Sequence, residues 1–552
     1  MNEKMIQKGL AVCTAFVLVL CGLSGCGKKA STDSDGSSLT SQTSEYGDVT
    51  DNAGDITNGD DTITTSNSGL VNNNTDKTTG NKQSTTNKSG GSSKSDSSKV
   101  SGSIKVLVSE EKVEIETILP IFKKKYPNIN VTLVPFSGNA QQTPSQLSIM
   151  SAAKTLPDVA MGVENFGYIM KQGLAYPLDK LYNADPDKDK AFKQGLTNYT
   201  YFGHLFALPY RLQFSCVLVN LDLLEKLNLP DPDYTWTIDE FVNLAKRATT
   251  SEYSGINYIV NIGDPTHGLD TSLMNGLLPA TFHQYGYNLS THLFNFTNGA
   301  WVNSKKIVKE LESVPGLVSD NLKNVKGSGG KTAYEEKFGS SADALVSGKV
   351  LFGNHHSWEM TWMIDQFKFK WDMYPVPTGE GIPQRIQTHT DYVCLTTNVS
   401  QANRQAAYEF AKFLSYDKDA AIARMKYMEQ SKAKTGSYTI ILPASGDPEA
   451  LAYFNSIKMI PKGIKYMLKT VMSDSNKVFI ADCNKIVPNF WVDVTQYRSQ
   501  VDKKISEGAD PASLAKDLET KVNAAATSTW RSFEEKVKKD IEAFYKSHPY
   551  EK

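Results

Sequence analysis

Three aspartates alternate along the chain in a pattern that resembles the start of a calcium loop. Asp185, Asp187 and Asp189 would supply the first oxygen ligands. Such a loop also needs glycine at its sixth position and glutamate at its twelfth, and the chain has Lys190 and Leu196 there. We therefore predict a solvated acidic turn at this position rather than a metal site.

A second motif imitates a phosphate-binding loop. The run Gly330-Lys331-Thr332 matches the end of that motif, but the glycine required five residues earlier is Val325. The chain also contains no G-x-S-x-G nucleophile motif and no H-E-x-x-H zinc motif. The sequence therefore predicts no catalytic constellation, no metal and no cofactor.

Carboxylates leave one enzymatic alternative open. A glycoside hydrolase needs two carboxylates that flank a cleft, about 5 Å or roughly 6.5–9.5 Å apart, and Glu164, Glu359 and Asp391 are candidates. Proteins that only bind sugars also use carboxylates, aromatic ring faces and planar polar groups. The presence of these residues does not decide between the two classes.

The elements that would position these residues alternate between strand and helix. Apolar strands are predicted at 104–108, 131–134 and 159–161, with helical spacing between them. This order is typical of βαβ units on a mostly parallel sheet, where ligands bind at the carboxyl ends of the strands. Glu164 and Asn165 directly follow the third strand.

Composition limits the class of protein. The 552 residues are 40% hydrophobic with a net charge of −1, so the chain offers no basic surface for nucleic acid. After residue 26 the only cysteines are Cys216, Cys394 and Cys483. Two of them lie in apolar runs, which favours buried, inert thiols, although one disulfide stays possible in an exported protein.

Several segments resemble family 1 extracellular solute-binding proteins, the maltose-binding-protein-like group. The first are LPY at 208–210, VLVNLDLLEK at 217–226 and TWTIDEF at 235–241, where Thr237 and Glu240 form a helix capping box. Further matching segments follow at 346–358, 372–379, 392–414 and 487–515. They occur in the family's order and cover most of residues 103–525.

The resemblance implies an α/β, two-lobe periplasmic-binding-protein fold of the type II kind. Mixed sheets flanked by helices would form each lobe, with a hinge and a cleft between the lobes. We expect residues 103–210 and about 390–430 in lobe 1. Lobe 2 would hold about 211–389 and 431–552. Residues 251–341 depart from the family pattern, and we expect them to enlarge one lobe and reshape the cleft.

The resemblance also implies ligand-binding residues. Trp358 and Trp491 match the cleft aromatics of the family, and Glu164 and Asn165 match its polar sugar contacts. His355 and His356 precede Trp358, and neighbours on a strand point to opposite faces, which argues against a shared metal.

Four more candidates lie where the chain crosses between lobes. Tyr210 and Arg211 are at the first crossing, and Asp391 and Tyr392 are at the second. Arg211 has two open interpretations: it clamps hydroxyls or an acidic sugar, or it forms an ion pair between the lobes.

The N-terminus predicts export and anchoring. Lys4 and Lys8 precede an uncharged stretch, 9–23, that is too short to span a bilayer. Leu23-Ser24-Gly25-Cys26 resembles the lipobox of bacterial lipoproteins, which implies that 1–25 is a signal peptide and that Cys26 carries the lipid. An ordinary cleavage site beside an unrelated cysteine is the alternative. The composition of residues 26–102 predicts a disordered tether with a mean span of roughly 50 Å.

Together these features predict a solute-binding protein on the extracellular face of a bacterial cell membrane. The expected ligand is a carbohydrate, with an oligosaccharide favoured by the aromatic residues of 251–341. The expected partners are the membrane permease subunits of an ABC importer, and the protein is expected to be a monomer. A uronate, a polyamine or a peptide-like solute remain alternative ligands.

Overall fold

The computed structural model describes most of the chain after residue 98. The predicted signal peptide, Cys26 and nearly all of the predicted tether lie outside the described residues. The structure describes residues 99–109, 111–258, 268–339, 343–435, 440–480, 483–488 and 490–551.

Thirteen strands form one large mixed sheet and two small hairpins within the described residues. The order across the large sheet is β2-β1-β3-β12-β6-β10-β7, with β11 paired to β6 and β13 to β12. The strands are β1 Gly102–Val108, β2 Ile129–Pro135, β3 Val159–Gly162, β4 Thr200–Tyr201, β5 His204–Leu205, β6 Ala207–Asn220, β7 Ser254–Ile256, β8 Tyr287–Asn288, β9 Leu293–Phe294, β10 Val350–His356, β11 Trp371–Pro375, β12 Ile386–Leu395 and β13 Val478–Ile480.

The long strand β6 joins two lobes. Its first half pairs antiparallel with β12, which in turn pairs with β3 of the first lobe. Its second half, from Ser215 to Asn220, pairs with β10 and β11 of the second lobe. The predicted α/β fold with two lobes and mixed sheets is confirmed, and β6 and β12 are its two central crossing strands.

Helices cover both faces of the sheet, and the predicted capping box at Thr237 is confirmed. Thr237 and Glu240 form the reciprocal capping box, and the Asp510 side chain accepts from the Ala512 N–H ahead of a long helix. The helices are α1 Lys112–Lys125, α2 Thr143–Ala152, α3 Phe166–Lys171, α4 Asp179–Ala184, α5 Lys193–Leu196, α6 Leu221–Lys226, α7 Ile238–Ala248, α8 Leu269–Leu277, α9 Ala300–Glu312, α10 Ala333–Phe338, α11 Met360–Gln366, α12 Arg404–Ser415, α13 Lys418–Thr435, α14 Pro448–Ser456, α15 Lys462–Ser473, α16 Cys483–Ile486, α17 Phe490–Ser506 and α18 Pro511–Ser547.

The C-terminal helices lie elsewhere than the sequence predicts. Residues 431–552 were expected in lobe 2, but α18 packs into the core that contains β1 and β3. Phe533 meets Tyr201 with ring centroids 5.8 Å apart, and Phe544 meets Tyr176 at 5.2 Å. The apolar stripe of this helix continues well past the segment that resembles the family, so it covers additional surface of lobe 1.

Residues 251–341 connect the cores. Helices α8 and α9 contribute side chains to the second-lobe core at one end and to the first core at the other. Between them the hairpin of β8 and β9 packs on α17 and α18, and Phe490 lies 5.3 Å from Phe294 between ring centroids.

The three cysteines after Cys26 are all buried. Cys216 lies on β6 and Cys394 on β12, and burial raises the pKa of the Cys394 thiol to about 12. Such thiols are unreactive at neutral pH. None of the helices in the described part of the chain has the length and apolar character needed to cross a membrane.

Candidate functional site

The carboxyl ends of β1 and β3 bring two acidic residues to one edge of lobe 1. The strands are parallel, with Val106 opposite Val159, so the residues that follow them share that edge. Glu111 is buried and accepts hydrogen bonds from the Tyr210 hydroxyl (3.2 Å) and the Ser109 hydroxyl (2.7 Å).

Glu164 and Asn165 lie beyond the end of β3, as predicted. The Gln141 amide donates to a Glu164 carboxylate oxygen at 3.5 Å, and Glu164 is half-buried. Asn165 is exposed, with φ at +56°, and immediately precedes α3. The Asn165 residue is therefore open to solvent at this edge, and Glu164 is partly so.

Tyr210 and Tyr392, two of the candidate ligand-binding residues, have fully buried side chains. Tyr392 packs against Phe166 with ring centroids 4.8 Å apart, and its hydroxyl donates to the Glu164 carbonyl at 3.3 Å. Neither phenol ring is exposed to solvent. Residues that alternate along a crossing strand point to opposite faces, and here the phenols point into the core.

Arg211 and Asp391 form an ion pair across β6 and β12. The Arg211 Nε donates to Asp391 Oδ2 at 2.6 Å, and both residues are buried. They are opposite each other in the strand register, directly before a β-bulge between Asp391 and Tyr392. The ion pair joins the two crossing strands.

Polar side chains continue along the crossing strands. The Ser357 hydroxyl donates to Gln213 Oε1 (2.5 Å) and accepts from the Phe214 N–H (2.8 Å). The Ser215 hydroxyl lies 2.8 Å from Nε2 of His389. These contacts tie the start of the segment after β10 to the hinge.

Trp358 lies at the carboxyl end of β10, beside this hinge. Its ring stacks on His356 with centroids 4.0 Å apart and planes 14° apart, and its centroid lies 5.4 Å from that of His389 in a T-shaped arrangement. Its residue surface is 37% exposed, which is unusual for tryptophan and leaves a ring surface open to solvent.

Glu359 orders the same edge. Its Oε2 accepts from the His356 N–H at 2.8 Å and lies 3.0 Å from Nδ1 of His355. The two histidines diverge, since His355 lies beside Glu359 while His356 stacks on Trp358. Tyr258, which follows the neighbouring strand β7, donates to the Asn354 carbonyl at 2.7 Å.

Trp491 is the second residue of α17, but its side chain lies outside the described residues. The motifs that resemble a calcium loop and a phosphate-binding loop both have structural roles. Asp185 and Asp187 both bind Lys412 Nζ, at 2.6 and 2.9 Å, so Asp185 is buried rather than solvated as predicted. Thr332 caps α10. Across the described residues no three acidic, histidine or cysteine side chains gather as a metal would require.

The two edges offer different chemistry. Trp358 presents an exposed aromatic ring at the end of β10, while Glu164 and Asn165 supply a carboxylate and an amide at the end of β3. Sequence reasoning missed Glu111, Gln213, Ser215 and His389. For Gln213 and His389 the only signal is strand register, which pairs them with each other and is not readable from one sequence.

Solved structures share this two-lobe fold. The ABC substrate-binding protein Lmo0181 from Listeria monocytogenes, in complex with cycloalternan, has a TM-score of 0.54 and 18% identity, covering 77% of this chain and 98% of its own. The cyclic α-maltosyl-1,6-maltose binding protein from Arthrobacter globiformis has a TM-score of 0.56 and 15% identity, covering 78% and 100%. UgpB from Mycobacterium tuberculosis, in complex with glycerophosphocholine, has a TM-score of 0.55 and 13% identity, covering 77% and 98%.

At these identities the similarity establishes the fold alone. The family is established by sequence, because the profile of the bacterial extracellular solute-binding proteins matches residues 96–421. That match includes both crossing strands and the whole segment from β10 to Trp358. The chain therefore belongs to the bacterial extracellular solute-binding protein family.

Proposed function

We propose that the protein captures a carbohydrate, an oligosaccharide, between its two lobes and delivers it to an ABC importer. The observation that carries this proposal is the exposure of the Trp358 ring, which His356 and His389 hold in place beside the crossing strand β12. Sugar rings have weakly apolar faces that stack on such a surface. Glu164 and Asn165 would meet the hydroxyl rim from the other lobe.

Two structural neighbours are named for, or hold, cyclic oligosaccharides, which supports the same ligand class. UgpB holds glycerophosphocholine, so a non-sugar solute is a specific rival. The hydrolase alternative has little support at this site. Asp391 is buried in its ion pair with Arg211, and Glu359 is engaged by His355 and a backbone N–H.

The first experiment is a thermal-shift screen of the full chain against oligosaccharides, uronates, polyamines, peptides and glycerophosphocholine. A ligand at 100 times its Kd stabilises a protein by about 2.7 kcal/mol. We expect an oligosaccharide to give the largest shift and to be recovered intact. Trp358→Ala should abolish the shift, while Tyr550→Ala, which removes an exposed ring elsewhere, should not. Cleaved sugar would indicate a hydrolase, and a response only to non-sugars would reject the carbohydrate ligand.

We also propose that the protein is anchored outside the cell by a lipid on Cys26. The lipobox-like run before Cys26 supports this, and a tether of about 75 residues would hold the lobes away from the membrane. Mass spectrometry of the mature N-terminus tests it. A chain that begins at residue 26 with a diacylglycerol is expected, and an unmodified cysteine would reject the anchor.

A further inference from the structure

A second exposed tryptophan lies one helical turn beyond Trp358. Trp362 is on α11 and is also 37% exposed. The other tryptophans whose side chains are described are more buried, and Trp236 and Trp301 are almost fully enclosed. Burial is the normal state of so large an apolar ring, so two exposed tryptophans four residues apart need a reason other than packing.

Both tryptophans are on the exposed side of one helical segment. Trp358 lies in a turn of 3₁₀ helix, Ser357–Glu359, that continues directly into α11, where Trp362 lies in the first turn. Met360 and Met363 occupy the opposite side and are fully buried in the core of lobe 2. The methionines therefore pack this segment against the core of lobe 2, and both tryptophans are left exposed to solvent.

The tryptophans are arranged outward from the hinge. Trp358 contacts His389 of the crossing strand β12. Trp362 lies farther out, with its ring centroid 5.2 Å from Phe367 and 6.3 Å from His355. Tyr258 reaches the same histidine from the end of β7, with a centroid distance of 6.2 Å. A line of aromatic side chains therefore runs along the carboxyl edge of lobe 2, away from the hinge.

From this line, and resting on the proposed carbohydrate ligand, we infer that Trp362 forms a second sugar subsite and makes the protein select longer oligosaccharides. Residues at this helical spacing have Cβ atoms roughly 5–6 Å apart, comparable to one sugar unit along a chain. Trp358 would stack the ring nearest the hinge. Trp362, held by Phe367 and His355, would stack a ring farther along the same chain.

The test is isothermal titration calorimetry of the full chain with three homologous series, each from the disaccharide to the hexasaccharide. The series are α-1,4-gluco-, β-1,4-gluco- and β-1,4-xylo-oligosaccharides. For the series that binds, we expect Trp362→Ala to weaken the longer members about tenfold, equivalent to about 1.4 kcal/mol. The shortest member that binds should change less than twofold.

Two variants separate a binding role from a structural one. Trp362→Phe keeps an aromatic surface and should restore most of the affinity for long chains, whereas Trp358→Ala should weaken every length. Equal loss at all lengths in Trp362→Ala, or no loss at any length, would overturn the second subsite while leaving carbohydrate binding intact. Binding of none of the sugars by the unmodified protein would overturn the subsite together with the proposed function.

Discussion

At the scale of single residues, the Arg211–Asp391 pair is the contact that most directly links the two crossing strands. Both side chains of this 2.6 Å contact are buried, so water does not solvate either charge. Removing one partner of such a pair leaves an uncompensated buried charge, which typically costs 3–5 kcal/mol. Replacing both partners with apolar residues costs much less.

We therefore predict that Arg211→Leu and Asp391→Leu each lower the free energy of unfolding by about 3 kcal/mol, and that the double variant loses less than the sum. Urea unfolding of the three variants measures this coupling. The ligand-clamp interpretation makes the opposite prediction. In that case Arg211→Leu would lower the affinity for ligand and leave the free energy of unfolding unchanged.

The sequence could place these residues on crossing strands but not orient them. Tyr210 and Arg211 are neighbours, and only the structure shows that the phenol is enclosed while the guanidinium meets Asp391. The position of Trp358 was easier to predict, because the segments that resemble the family include the end of its strand. No such segment indicates Trp362. Its exposure depends on which side of α11 the methionines bury, a tertiary property.

At the scale of elements, a buried charge cluster joins three helices. Asp270 on α8 binds Lys305 on α9 at 2.8 Å and Arg498 on α17 at 2.5 Å. Burial by itself raises the pKa of the Asp270 carboxyl, but the two cations outweigh it and hold that pKa well below its usual value. The cluster fixes the 251–341 region to the C-terminal helices.

A carboxyl group with a lowered pKa stabilises the fold above its unfolded pKa, near 3.9, and loses this contribution as the pH falls toward its folded value. We predict that Asp270→Asn lowers the free energy of unfolding by about 3 kcal/mol at pH 6, because it strands two buried cations. The difference from the unmodified protein should shrink by about 1 kcal/mol between pH 6 and pH 3. Urea unfolding across this range measures it, with the exposed Asp517→Asn as control. A difference that does not change with pH would contradict the assignment.

At the scale of the whole molecule, the predicted alternation of strands and helices and the order of the family segments were enough to establish two lobes and their crossings. The position of the C-terminal helices was not predictable. Their apolar stripe fits either lobe, and the choice is made by partners distant in sequence, such as Tyr201 and Tyr176. Local patterns show that a face is apolar but do not identify what it meets.

Helices α8 and α9 form a second connection between the two cores, and α18 holds the first-lobe end of this connection through the β8–β9 hairpin. We call the contact between the hairpin and α18 the hairpin bridge. Asn523 holds Phe294 by two hydrogen bonds, of 2.7 and 3.0 Å, and His292 stacks on Trp530 with ring centroids 3.4 Å apart. The same helix is bound to lobe 1, where Tyr545 donates to Asp179 at 2.7 Å. Rotation of the lobes about β6 and β12 must therefore also move or strain this bridge.

We predict that the bridge limits how far the lobes open without ligand. In the double variant Asn523→Ala, Trp530→Ala, small-angle scattering should show a larger radius of gyration than in the unmodified protein. At a saturating concentration of the sugar found by the screen, both proteins should reach the same compact value, because ligand that touches both lobes favours the closed form. Lys521→Ala, on an exposed part of the same helix, should behave as the unmodified protein. Equal radii without ligand, in a variant that circular dichroism shows to be folded, would mean that the crossing strands alone set the opening.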